Sequence, residues 1–176
     1  MFQFMAISDS DYNLVIKSNN MKIEVGEKAP DFSLYNSEKN KVSLSDFKGK
    51  NVLLLFFPQA FTSVCTKELC DIRDNISTFN NTNAVVFGIS VDSLYTLKKF
   101  KEDQGYNFDL LSDFNKEVST AYDSIYEVWN FEMKGVSKRS AFLVDKEGVI
   151  RYAEVLENAG NVPDIKAIEM MLAGLL

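Results

Sequence analysis

Two cysteines and no histidine define the chemistry open to this chain of 176 residues. Without imidazole, Ser-His-Asp and Cys-His catalysis are excluded, and so are most transition-metal sites. A nucleophile here must be activated in some other way. Cys65 and Cys70 are separated by four residues, which is not the Cys-x-x-Cys spacing of a dithiol redox centre. Two thiols alone do not fill the four positions of structural zinc, so no metal is expected. Cys65 closes the string Pro58-x-x-x-Thr62-x-x-Cys65, and that string separates an apolar run from an amphipathic segment.

The surrounding elements determine what such a cysteine can do. Val52 to Phe57 is unbroken apolar sequence, as in a central strand covered on both faces, and Pro58 ends it. Leu69, Ile72, Ile76 and Phe79 recur at helical spacing, which predicts one helix over Thr66 to Asn80. Cys65 then stands where free backbone N–H groups and the helix dipole favour an anion. Such positions lower a cysteine pKa below its free value of about 8.5 and raise the share of reactive thiolate. Thr62 can bring a hydroxyl near the sulfur, and Pro58 fixes the loop that shields it. The carboxyl end of a buried strand is also where α/β sheets place ligands. Position alone leaves a second reading open, a cysteine that merely packs a helix end.

Further along, Ala84 to Val91 reads as a second buried strand and Ser93 to Gln104 as a helix stopped by Gly105. Phe108 to Leu111 is a short strand and Asn115 to Tyr122 a short helix. Asp123 to Lys138, with Tyr126, Trp129 and Phe131, is expected to be a covering loop, with Trp129 as packing. Ser140 to Val144 and Val149 to Val155 form a hairpin across Asp145-Lys146-Glu147-Gly148. A last helix carries Pro163 in its first turn. Short extended pieces at Ala29 to Leu34 and at Val42 to Leu44 precede all of this, and Ser45 to Lys50 is a capped turn closed by Gly49. Strands alternating with helices and ending in a hairpin give an α/β fold with a mixed central sheet flanked by helices. Residues 1–20 are polar and read as an N-terminal extension to a single domain spanning 21–176.

The segment Phe56-Phe57-Pro58-Gln59-Ala60-Phe61-Thr62-Ser63-Val64-Cys65-Thr66-Lys67-Glu68-Leu69-Cys70 resembles the active-site segment of peroxiredoxins. Lys138-Arg139-Ser140-Ala141-Phe142-Leu143-Val144-Asp145, followed by Gly148 to Tyr152, resembles the strand that delivers that family's active-site arginine. Gly26 to Phe32 extends the similarity, which runs from about Val25 to the C-terminus. The resemblance implies a thioredoxin-like fold and a thiol peroxidase that reduces hydrogen peroxide and organic hydroperoxides without a cofactor. It implies that Cys65 attacks the peroxide and becomes a sulfenic acid, and that Thr62 holds the substrate. Arg139 and the amides of Val64 and Cys65 would stabilise the charge on the departing oxygen. Taken by itself, Arg139 reads better as an exposed structural charge, and only the resemblance reverses that reading.

The Cys65-x-x-x-x-Cys70 spacing resembles the PrxQ, or bacterioferritin comigratory, branch, in which the second cysteine resolves the sulfenic acid by forming a disulfide. Glu68-Leu69-Cys70 is also similar to single-cysteine-type relatives, in which Cys65 would work alone. Five helical residues advance about 7.5 Å and turn about 140° beyond a full circle, whereas disulfide Cα atoms lie within roughly 7 Å. Resolution by Cys70 therefore requires the helix to unwind. Glu68 and Arg73 read as structural pairing around the helix.

The remaining expectations come from composition. A net charge of −6 does not suit tracking nucleic acid or an anionic membrane surface, and no run of Lys or Arg exceeds two. The first residues lack the basic and apolar regions of a signal peptide, and no stretch reaches the roughly 20 apolar residues of a spanning helix. A cytoplasmic, reducing setting is expected. The resemblance adds a thiol reductant such as thioredoxin or glutaredoxin, and a homodimer. Two rivals predict different behaviour: a thioredoxin-type oxidoreductase, and a noncatalytic module with an unreactive Cys65.

Overall fold

A computed structural model describes residues 23–175. The proposed extension at residues 1–20 lies outside them. Seven strands form one sheet: β1 (Ser33–Asn36), β2 (Lys41–Ser43), β3 (Asn51–Phe56), β4 (Ala84–Ser90), β5 (Asp109–Ser112), β8 (Arg139–Val144) and β9 (Ile150–Leu156). Their spatial order is β2-β1-β5-β4-β3-β8-β9. β3, β4 and β5 run parallel, while β8 is antiparallel to β3 and β9 to β8. The mixed α/β sheet expected from the alternation of elements is therefore present, with its parallel part at the centre.

The helices are α1 (Ser63–Asp74), α2 (Ile76–Asn81), α3 (Leu94–Gln104), α4 (Glu117–Ala121) and α5 (Ile165–Ala173). Side chains alternate across a strand, so β3 divides the core in two. Leu53, Leu55 and Phe57 pack with Cys65, Leu69, Ile72, Leu97, Phe100, Ile168 and Leu172, which brings α1, α3 and α5 onto one face. Val52, Leu54 and Phe56 pack with Phe87, Ile89, Tyr122 and Phe142 on the other. This double coverage is why β3 reads as continuous apolar sequence. Among the described residues no helix is long and apolar enough to cross a membrane.

Several boundaries differ from the sequence expectation. The helix expected over Thr66 to Asn80 begins three residues earlier, at Ser63, and breaks at Asn75 (φ −109°, ψ 16°) into α1 and α2. Asp123 to Lys138 is not a plain loop. It contains an antiparallel pair, β6 (Ile125–Val128) and β7 (Lys134–Ser137), joined through a tip where Phe131 and Glu132 both take left-handed φ. Pro163 does not sit in the first turn of α5. It precedes the N-cap Asp164, whose carboxylate accepts the Ala167 amide at 3.0 Å. β8 begins at Arg139, one residue before the expected start.

At the far end of β8, Asp145 closes the hairpin turn. Its Oδ1 accepts the amides of Glu147 (2.9 Å) and Val149 (2.8 Å), and its Oδ2 accepts Arg151 Nε at 2.5 Å. A cavity of about 330 Å³ lies at that same end, lined by Lys28, Leu44, Phe47, Lys48, Val52 and Val144. It is at the end of β3 and β8 opposite Cys65.

Candidate active site

β3 delivers the chain to a loop that is anchored from the neighbouring strand. The Phe57 amide donates to the Ile89 carbonyl at 2.9 Å, and Phe57 and Pro58 are buried. Asp92, just beyond β4, accepts the Ala60 amide and the Ser90 hydroxyl on one oxygen, both at 2.8 Å. Burial raises its pKa, and those two hydrogen bonds pull it back. Phe61 takes φ 64°, a left-handed conformation that is uncommon for a non-glycine residue. Its ring lies 4.9 Å from that of Phe100.

Thr62 is the N-cap of α1, with extended backbone (φ −78°, ψ 150°). Its carbonyl accepts the first helical hydrogen bond, from the Thr66 amide at 2.9 Å. The amides of Val64 and Cys65 come before any intrahelical acceptor and are free to face an anion. The Thr62 hydroxyl donates to the Gln59 carbonyl at 3.0 Å and not to the sulfur it was expected to approach. That bond engages its proton and leaves its lone pairs to accept one.

Cys65 is the third residue of α1, and its side chain is 0% exposed. Arg139, 1% exposed, meets it from β8. The antiparallel register pairs Phe56 with Ser140, so the end of β3 and the start of β8 coincide. Arg139 Nη2 donates to the Cys65 sulfur at 3.3 Å. Its Nε and Nη2 also donate to the Ala159 carbonyl, at 3.1 and 3.0 Å, and Nη1 pairs with Glu68 Oε2. The guanidinium is thus held on three sides, with one N–H directed at the sulfur.

Glu68 follows Cys65 by three residues, so the two share a helix face. It pairs with Arg139 and not with Arg73, contrary to the pairing around the helix expected from sequence. Burial pushes its pKa up to about 7 even though the charge and hydrogen bond of Arg139 pull it down. Its Oε1 is buried with no hydrogen-bond partner among the described residues. Arg73 instead pairs with Asp74 at 2.8 Å and donates to the Gln104 carbonyl.

Cys70 looks elsewhere. Its sulfur contacts Gln104 Oε1 at 3.7 Å, and both cysteines are free thiols. The structure therefore brings together Cys65, Arg139 and the open end of α1, sets Pro58 and Thr62 in the loop around them, and leaves Cys70 apart. Sequence reasoning missed the anchoring by Asp92, the Ala159 carbonyl and the Glu68–Arg139 pair. Only the last had a readable signal, the i,i+3 spacing of Glu68 from Cys65.

Comparison with known proteins identifies the family. Residues 25–153 match the model of the AhpC/TSA family. Peroxiredoxin Bcp of Bacillus subtilis is 43% identical over 134 residues, covering 73% of this chain and 82% of the relative. Alkyl hydroperoxide reductase E of Mycobacterium tuberculosis is 40% identical over 156 residues, covering 87% and 98%. The solved structure of a Xylella fastidiosa PrxQ superposes with a TM-score of 0.78 at 25% identity, covering 88% of this chain and 98% of that one. With a family match over residues 25–153 and relatives at 40% and 43% identity, this protein belongs to the AhpC/TSA family and is a peroxiredoxin, a thiol-dependent peroxidase.

Proposed function

We propose that Cys65 carries the peroxidase chemistry of this chain. Its thiolate attacks the terminal oxygen of hydrogen peroxide or an organic hydroperoxide. The S–O bond forms as the O–O bond breaks, and the product is a sulfenic acid with water or an alcohol. The observation that carries the assignment is the Arg139 guanidinium, 3.3 Å from the sulfur in a buried site at a helix start. A positive group held there stabilises the negative sulfur and the charge that builds on the departing oxygen. The free amides of Val64 and Cys65 add to the same field. Thr62, its proton engaged by Gln59, accepts the peroxide O–H. Pro58 keeps the loop closed over the sulfur. A carboxylate near a thiolate opposes its ionisation, but Glu68 is tied to Arg139 and burial raises its pKa, which favours its neutral form.

Cys70 is proposed as the resolving cysteine, attacking the sulfenic acid to give an internal disulfide. The two thiols face different neighbours in the folded state, so this step requires the helix to open. A dithiol protein of the thioredoxin or glutaredoxin type, in a reducing cytoplasmic setting, would then restore both thiols. Mass spectrometry after one equivalent of peroxide tests both assignments. A loss of two hydrogens is expected in the wild type and a gain of one oxygen in Cys70→Ser. Cys65→Ser is expected to consume no peroxide, and consumption at the wild-type rate would remove Cys65 from the mechanism.

We propose a homodimer that uses the β6–β7 tip. Val128 and Phe131 are exposed there, and Met133 meets Gln59 of the active-site loop. Phe131→Glu should convert a dimer to a monomer in sedimentation. A wild type that sediments as a monomer at all concentrations contradicts the dimer.

A further inference from the structure

Arg139 is held against the sulfur partly from a loop outside the sheet. The Ala159 carbonyl accepts its Nε at 3.1 Å and its Nη2, the nitrogen that reaches Cys65, at 3.0 Å. β9 ends at Leu156, so Ala159 stands three residues beyond the last strand. Its loop borders a cleft of about 430 Å³ lined also by Trp129, Asn130, Asn158 and Gly160, so open space lies beside it. Among the described residues, the hydrogen bonds that reach residues 157–160 from other elements come from Tyr126, Lys138 and Arg139 itself. Lys138 holds the Glu157 carboxylate at 2.6 Å, but that side chain is 81% exposed, and an ion pair so placed contributes little. It also grips a side chain and leaves the backbone free to shift. The Tyr126 hydroxyl grips the backbone itself. It donates to the Glu157 carbonyl at 3.0 Å, with the Leu156 carbonyl at 3.3 Å.

Tyr126 is itself fixed in direction. It lies on β6, its ring stacks on that of Trp129 with centroids 6.4 Å apart and planes 18° apart, and Lys138 Nζ stands 5.8 Å from its ring centre. The same hairpin reaches the active-site loop, where Met133 Sδ accepts the Gln59 side-chain amide at 3.6 Å. We propose that Tyr126 is a positioning residue for peroxide attack. Its hydroxyl holds Glu157 and, through two residues of chain, Ala159, so that the guanidinium keeps one N–H on the Cys65 sulfur. Without that hydroxyl the loop can draw back towards the cleft. The Ala159 carbonyl then leaves Nε and Nη2, and the guanidinium turns towards Glu68, its remaining partner. A displacement of about 1 Å in a reacting arrangement can cost on the order of 100-fold in rate, and a partial loss of alignment costs less.

This rests on the reading of Arg139 as the group that supports attack by Cys65. The test is a double-mutant cycle with Tyr126→Phe, Arg139→Met and the two combined, read as the rate of peroxide consumption in the first turnover. Tyr126→Phe keeps the stacked ring and removes the hydroxyl alone, and consumption of one equivalent per chain shows that each variant is folded. Tyr126→Phe should slow attack by on the order of 10-fold and should have no further effect once Arg139 is methionine. A slowdown as large in the Arg139→Met chain as in the wild type places the effect outside the arginine and overturns the proposal. An unchanged rate in Tyr126→Phe, with Arg139→Met slow, overturns the role of Tyr126 alone. A wild-type rate in Arg139→Met overturns both readings. Glu157→Gln cuts the ion pair to Lys138 and keeps the carbonyl, so its rate should match the wild type. A loss equal to that of Tyr126→Phe would assign the hold on the loop to the ion pair and overturn the role of the hydroxyl.

Discussion

Strand β8 carries an arginine–carboxylate pair at each end, and the two could hardly be built more differently. At its far end, Asp145 accepts two amides and Arg151, and every oxygen is engaged. Arg151 is 42% exposed, so solvent shares the charge. Although burial raises the Asp145 pKa, the Val149 amide, Arg151 and the Glu147 amide outweigh it and hold it below the usual range. At the near end, Arg139 and Glu68 are both almost wholly buried, one Glu68 oxygen has no partner, and the carboxyl is pushed up to about 7. The first pair is a satisfied turn closure. The second places a cation that is only partly neutralised against a sulfur. Buried polar groups are normally satisfied, and a departure from that rule needs a reason. On the proposed chemistry the reason is that full neutralisation of Arg139 would leave little field for Cys65.

Exchanging the arginines should break the comparison most visibly. Arg139→Met is expected to slow peroxide attack by about 100-fold, close to 3 kcal/mol of lost charge stabilisation. Arg151→Met should leave that rate unchanged. Stopped-flow measurement of the first turnover checks both, and equal effects would erase the distinction between the two ends.

The pH dependence of stability sharpens the contrast with a smaller effect. Glu68 binds its proton more tightly in the folded than in the unfolded chain. Its stabilising contribution is therefore full below the ordinary 4.5 and is lost as pH rises towards about 7. Asp145 has the opposite sign, contributing above the ordinary 3.8 and losing that contribution as pH falls through its lower folded value. Glu68→Gln should flatten the fall between pH 4.5 and 7, where one such group can contribute up to about 1.4 kcal/mol per pH unit. Asp145→Asn should flatten only the acid limb. Urea midpoints measured across pH report both, and identical profiles would contradict the assignment.

Much of the site was legible because its parts depend on local rules. The apolar run of β3, the stop at Pro58 and the helical spacing after Cys65 set the sulfur at a helix start. The meeting with Arg139 could be anticipated only through the family resemblance. Its physical basis is the antiparallel register of β3 and β8, which depends on pairing between distant strands. The break at Asn75 was invisible because Ile76 and Phe79 continue the apolar period across it. The β6–β7 hairpin was missed because Phe131 and Glu132, not glycine, take the left-handed turn positions. Asp92 could not be singled out, because its role depends on β4 ending beside the loop that follows β3.

A sulfur without contact with solvent also imposes an order on visitors. With Cys65 at 0% exposure, the contact surface of another protein cannot touch it while α1 stays coiled, a bar that is far lower for a molecule the size of a hydroperoxide. On the proposed chemistry, oxidant would come first and any macromolecular electron donor second, with the helix as a turnstile between the two half-reactions.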